Sequence, residues 1–108
     1  MSEALKQAVA EAARQAASSM TSRIRSMAVE ASWPDRAVQA LSVVEADGDL
    51  EIKIDPEDAT MVEALEYGTS STPPNSVIRR FKADIPVLMA PYITAAISSN
   101  VDQIVEDL

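Results

Sequence analysis

Leu41-Ser42-Val43-Val44-Glu45-Ala46-Asp47-Gly48-Asp49-Leu50-Glu51-Ile52-Lys53-Ile54 is the stretch on which the reading of the fold turns. Asp47-Gly48 is a two-residue type I′ turn signal, because both residues tolerate positive φ. That turn predicts a β-hairpin over residues 39 to 55, in which opposed residue numbers sum to 95. Leu41 then faces Ile54, Val43 faces Ile52, and Glu45 faces Leu50. The other face pairs Ser42 with Lys53 and Val44 with Glu51. One face is mostly apolar and the other mostly polar, as a half-buried sheet requires.

Upstream, Leu5, Val9, Ala12, Ala16, Met20, Ile24 and Met27 recur at steps of three or four, which predicts one helix over residues 2 to 29. Eight alanines between positions 4 and 28 make that helix thin enough for close approach. It should end near Ser32, since Trp33 precedes Pro34 and is pushed to extended geometry. Downstream, Asp55-Pro56-Glu57-Asp58 reads as a helix start, with Asp as N-cap and Pro at the first position. Gly68 is the expected stop, in the left-handed region. Residues 69 to 76 form a polar loop with two prolines. From Val77 the chain returns to helix, and Pro86 and Pro91 predict a break or strong kink between 84 and 91. The fold class expected is α+β: a long N-terminal helix, a hairpin sheet, a short helix, a Pro-containing loop and a C-terminal helix, in one domain of 108 residues.

Composition narrows function. Apolar residues are 47% of the chain, which is not a disordered composition, and aromatics only 4%, so aliphatic side chains must fill most of the core. The chain has neither Cys nor His, which removes disulfides, thiolate chemistry and the commonest general base and metal ligand. The formal charge is −8, so the free chain is a poor ligand for a phosphate backbone. No run approaches a membrane span, and Ser2-Glu3-Ala4-Leu5 reads as helix rather than leader peptide. The expectation is a soluble intracellular protein that is not an enzyme, with no cofactor and no metal.

The acids concentrate between Glu45 and Glu66, nine against Lys53 alone. A calcium loop with Gly48 at its sixth position would put Val43 and Ile54 at ligand positions, and neither can bind the ion. The run therefore reads as a solvated hairpin edge and helix N-terminal acids, which also guard an edge strand, with a loose cation site or a charged partner face as the alternative. Carboxylates are plentiful, but no catalytic pair stands out, and two distant glycines make no phosphate cradle. Trp33, the only tryptophan, is either a plug over the end of the first helix or an interface anchor. Arg79, Arg80 and Lys82 are either a solvated face, partners for acids of a neighbouring subunit, or a phosphate contact.

Ala64-Leu65-Glu66-Tyr67-Gly68-Thr69, a short linker holding Pro73 and Pro74, and then Val77-Ile78-Arg79-Arg80-Phe81 resemble the small neck or tail-completion proteins of tailed bacteriophages. Members of that family show an N-terminal helix, a β-region, a Glu-aromatic-Gly-Thr signature, and a Pro and an Arg leading into a C-terminal helix. The resemblance implies a structural virion protein, assembled in the host cytoplasm as a homo-oligomeric ring that joins portal to tail and lets DNA pass. A sixfold ring is the first expectation and a twelvefold ring the alternative. Adjacent neck, connector and tail proteins would be its partners, DNA only a transiting, non-specific cargo, and no membrane would be involved. On that reading Trp33, Tyr67, Gly68, Thr69, Pro73, Pro74, Arg79 and Arg80 lie at subunit contacts. Glu45, Asp47, Asp49, Glu51, Glu57 and Asp58 line the channel or its rim. The competing reading is a small acidic regulator or DNA mimic that occupies a basic groove, distinguished by where the carboxylates lie.

Overall fold

The computed structural model describes residues 3–107. The element order is α1 (Glu3–Glu30), α2 (Asp35–Gln39), β1 (Leu41–Ala46), β2 (Asp49–Ile54), a 3₁₀ turn (Pro56–Asp58), α3 (Ala59–Tyr67), α4 (Ile78–Ser99) and α5 (Val101–Asp107). This is an α+β arrangement around one two-stranded antiparallel sheet.

α1 is the spine. It buries Ala8, Ala12, Ala13, Ala16, Met20, Ile24, Met27 and Ala28. At its start Ala4 and Ala8 are buried, whereas Leu5 and Val9 of the expected stripe are only half-buried. The closest approach falls on side chains that end at Cβ, and the longer ones flank it. α1 ends in a Schellman arrangement: the Trp33 N–H donates to Ala28 O at 3.0 Å and the Ser32 N–H to Val29 O at 2.9 Å. Ser32 takes the left-handed position at φ 62°, usually held by glycine. Asp35–Gln39 then makes a five-residue helix inside what the sequence reads as linker and hairpin start.

The hairpin register is the expected one, from Leu41↔Ile54 through Ala46↔Asp49. Asp47 and Gly48 have φ of 52° and 83°, as a type I′ turn demands. The Asp55 carboxylate accepts the Glu57 N–H at 3.2 Å, with Pro56 at the first position of the 3₁₀ turn.

The sequence-based break between 84 and 91 is absent. α4 runs from Ile78 to Ser99 through both prolines, and the interruption comes at Asn100. Each proline removes one N–H and leaves free the carbonyl four residues earlier. Pro86 and Pro91 are exposed, and so are Lys82 and Val87, so water can satisfy those carbonyls. The opposite face stays seated on the core through Phe81, Ile85, Leu88, Met89, Tyr92, Ile93 and Ala96. Continuous packing on that face outweighs two missing hydrogen bonds.

The molecule is elongated, 58 × 23 × 20 Å. Its radius of gyration is 16.6 Å, against about 13 Å for a compact domain of this length. α2, α3 and Trp33 gather at one end, the hairpin lies along α1 from Arg25 at its base to Ala10 at its turn, and the start of α1 runs on beside α4 and α5.

Candidate functional site: the α3–α4 junction

α4 begins without a cap of its own. Val77 precedes it and offers no side-chain acceptor, and its first turn carries no acid. Its first N–H groups would be orphaned in the interior. Glu66, in the last turn of α3, supplies the acceptor. Its Oε1 takes the N–H groups of Val77 and Ile78, both at 2.7 Å, and its Oε2 takes that of Arg79 at 3.1 Å. Oε2 also accepts Arg79 Nε at 2.8 Å, and the Arg79 Nη2 donates to Glu66 O at 2.7 Å. An acid at the end of a helix opposes that helix's own dipole. Here the same charge meets the positive end of the next helix.

Glu66 is 1% exposed. Burial works against its charge, but the Arg79 guanidinium and the backbone N–H groups of Val77, Arg79 and Ile78 together outweigh it. The carboxyl is held below its ordinary value near 4.5. Tyr67 lies over the Arg79 guanidinium, 4.6 Å from ring centroid to Cζ, and leaves its own outer surface exposed.

Gly68 turns the chain out of α3 at φ 82° and ψ 176°. This is not the left-handed cap the sequence suggested. It is an extended positive-φ conformation that only glycine adopts freely. A Cβ here would sit 2.7 Å from Pro74 N and 2.9 Å from Thr72 O. The returning loop passes where a side chain would be. Thr69 closes that loop: its N–H donates to Thr72 O at 2.8 Å, and its Oγ1 accepts the N–H of Thr72 at 3.1 Å.

Asn75 ties the loop to the rest of the protein. Its N–H donates to Leu65 O at 2.8 Å, its Nδ2 to Ala31 O at 2.7 Å, and its carbonyl accepts Trp33 Nε1 at 3.0 Å. One residue thus joins the ends of α1 and α3 and the indole.

Several expected roles change here. Trp33 is 4% exposed and plugs the core, so it offers no anchor on the outer surface. Arg79 is spent on Glu66 within its own chain rather than kept for a neighbouring subunit. Arg80 is exposed and donates from Nε to Ser76 O at 2.6 Å, while Lys82 stays exposed. Thr69, Pro73 and Pro74 are exposed on the loop. Among the acids, Asp58 is buried and paired with Arg36, so it lines no open surface. Glu45 is half-buried, accepts the Gly48 N–H at 3.0 Å and lies 4.0 Å from Arg14. Asp47, Asp49, Glu51 and Glu57 remain exposed.

The sequence reading passed over Asn75, the capping role of Glu66, and the Arg36–Asp58 pair. Only an acid without a local partner, inside a helix end, pointed to Glu66. Among the described residues, no group of three or more acids could hold a metal ion, and no helix is long and apolar enough to cross a membrane. The junction can fix the angle between two helices and present Tyr67 and the loop outward.

No protein-family model, curated protein or solved structure matches this chain.

Proposed function

We propose that this is a structural protein of the phage neck, which assembles as a ring between portal and tail and acts by shape rather than by chemistry. One observation carries the reading. The residues that resemble the neck family, Glu66, Tyr67, Gly68 and Arg79, lie up to 13 positions apart and meet at one junction. Each has a physical task there: cap, lid, reversal and counter-ion. A motif with that much internal logic specifies a scaffold, and a scaffold suits an assembly role.

In the ring, the exposed side of Tyr67, the Thr69–Pro74 loop and Arg80 dock neighbouring subunits or the next layer. Asp47, Asp49, Glu51 and Glu57 line the channel or its rim, where negative charge lets duplex DNA slide without being held. Six copies are the first expectation and twelve the second.

Native mass spectrometry and electron microscopy of the protein, alone and mixed with tailless phage heads, test the proposal. A ring of six or twelve copies with a central pore supports it. A chain that never passes beyond a dimer under either condition overturns it. A mobility-shift assay should show no duplex DNA binding at physiological salt, since micromolar affinity would contradict an acidic channel. A stable monomer that captures a basic DNA-binding protein would instead favour the mimic.

A further inference from the structure

The two edges of the sheet are treated differently. On β1, Thr21 of α1 closes the edge at Val43: Thr21 Oγ1 accepts the Val43 N–H at 2.8 Å, and its one proton is shared between Ala17 O at 3.0 Å and Val43 O at 3.2 Å. Arg25 Nε donates to Leu41 O at 2.8 Å. The polar groups of Leu41 and Val43 therefore point away from β2. Antiparallel pairing alternates, so those of their partners Ile54 and Ile52 point away from β1. Nothing among the described residues meets the backbone of Ile52 or Ile54 on that side. The Leu50 N–H finds only the carboxylate of its neighbour Asp49, at 2.9 Å.

The side chains on that edge pack against the core and are only partly covered. Ile52 and Ile54 are half-buried above an open groove of about 210 Å³, walled by Val62, Glu63, Tyr67, Ile78 and Lys82, and Leu50 is half-buried further along the strand. Glu51 and Lys53 are exposed on the other face, where their hairpin partners are the uncharged Val44 and Ser42. Among the described residues neither makes an ion pair.

We infer that β2 pairs antiparallel with β2 of a second copy, about a two-fold axis at Ile52, to give a four-stranded sheet. The occupant follows from complementarity. With Ile52 on the axis, residue numbers across the new pair sum to 104. Glu51 then faces Lys53 of the other copy, twice. Leu50 faces Ile54 twice, and Ile52 faces itself above the groove. The outward N–H and C=O groups of Leu50, Ile52 and Ile54 all fall in register for hydrogen bonds. The alternative axis at Glu51 pairs Asp49 with Lys53, but it sets two glutamates opposite each other at its centre and brings the outward groups of only Leu50 and Ile52 into register, which disfavours it. Asp49 against Asp55 ends the pairing after Leu50–Ile54. A two-stranded sheet is marginal by itself, and this pairing doubles it. The contact uses the same patch on both copies and closes at two. It is separate from the ring proposed above: a dimer that never forms rings would support the pairing and overturn the ring.

Charge reversal and cross-linking test it on the intact chain. Sedimentation equilibrium of the wild type should show a monomer–dimer equilibrium. Glu51→Lys and Lys53→Glu should each weaken dimerisation about tenfold, since each sets like charges opposite twice. The double reversal should restore it, which a merely destabilised hairpin would not do. Ile52→Cys, the only thiol in its chain, should oxidise to a covalent dimer, because a hydrogen-bonded pair places Cα atoms at about 5.5 Å. Thr60→Cys, exposed on α3, should not. A wild type that stays monomeric at high concentration overturns the inference. So does a single reversal without effect, or equal cross-linking at positions 52 and 60.

Discussion

The two ends of this molecule are built by opposite means. At the sheet end, where α3 packs and the base of the hairpin lies, α1, α3, α4 and the strands are held by large buried side chains, Trp33, Phe81, Ile24 and Leu41, and by a buried carboxylate with its hydrogen bonds satisfied. At the other end, α1 meets α4 and α5 with Ala4, Ala8 and Ala12 buried on its side and Ala96 on theirs. That arm leaves Val87, Val101 and Val105 exposed, at 77%, 48% and 60%. A buried alanine removes little apolar surface from water, so the arm gains little per residue from burial. The sheet end is specified by chemistry that tolerates few alternatives, and the arm by a thin periodic pattern that many sequences could supply. Local opening should begin in the arm.

Removing Glu66 is the most direct way to break the comparison, because it strips the sheet end of its polar joint. Glu66→Ala leaves the N–H groups of Val77, Ile78 and Arg79 without an acceptor and the guanidinium without its partner. Arg79 is half-exposed and can be rehydrated, so most of the cost lies in the buried N–H groups. We expect a loss of about 3 kcal/mol in urea unfolding. A loss under about 1 kcal/mol would mean that water replaces the carboxylate and that the joint is not special. The same group gives a pH dependence of known sign. Its folded pKa lies below the ordinary value near 4.5, so its contribution is present above that pH and is lost as pH falls through the lowered pKa. Comparing urea midpoints at neutral pH with those at about pH 3 should therefore show a smaller acid loss for Glu66→Gln than for the wild type.

The same division marks what the sequence disclosed. The hairpin was legible to the residue, because Asp47-Gly48 fixes the turn and the turn fixes every pair. α1 was legible from its period. The junction was not. Glu66 caps a helix that begins 12 positions later, and no local pattern announces a cap delivered from another element. Asn75 looked like one of six polar residues in the loop, since its three partners are Ala31 just past α1, Leu65 of α3 and Trp33. The prolines misled for a related reason. Proline chemistry is local, and α4 is held by the side chains of its packed face rather than by the two backbone hydrogen bonds that the rings remove.

Gly68→Ala should sharpen the contrast from the loop side. The new Cβ would meet Pro74 N at 2.7 Å in a backbone region closed to alanine. Relief requires moving the loop that carries Asn75, and with it the tie to Trp33. A fall of about 2 kcal/mol in stability is expected, with Trp33 fluorescence shifting toward that of exposed indole. By contrast, the Cβ of Gly48→Ala meets only Ala10, at 3.7 Å, and its cost should come from φ alone. If the two substitutions prove equal, the crowding at Pro74 relaxes freely and the loop is looser than its hydrogen bonds suggest.

The smallest effect expected has the opposite sign, and it probes the arm. Pro91 lies inside α4 with its ring exposed, and it denies Val87 O a helical hydrogen bond. In an isolated helix an interior proline costs about 3 kcal/mol relative to alanine. Much of that cost is met here, because the Val87 carbonyl is on the solvent side and the buried face packs without interruption. Pro91→Ala restores the N–H and removes the ring from the turn before it, with no core residue disturbed. The variant should therefore be more stable by about 1 kcal/mol, with slower amide exchange from Tyr92 to Ser99. The gain should stay within the arm and leave exchange at Val77 and Ile78 unchanged, since those amides are held by Glu66. If protection instead rises throughout the chain, arm and sheet end open as one unit, and the division drawn between them does not extend to dynamics.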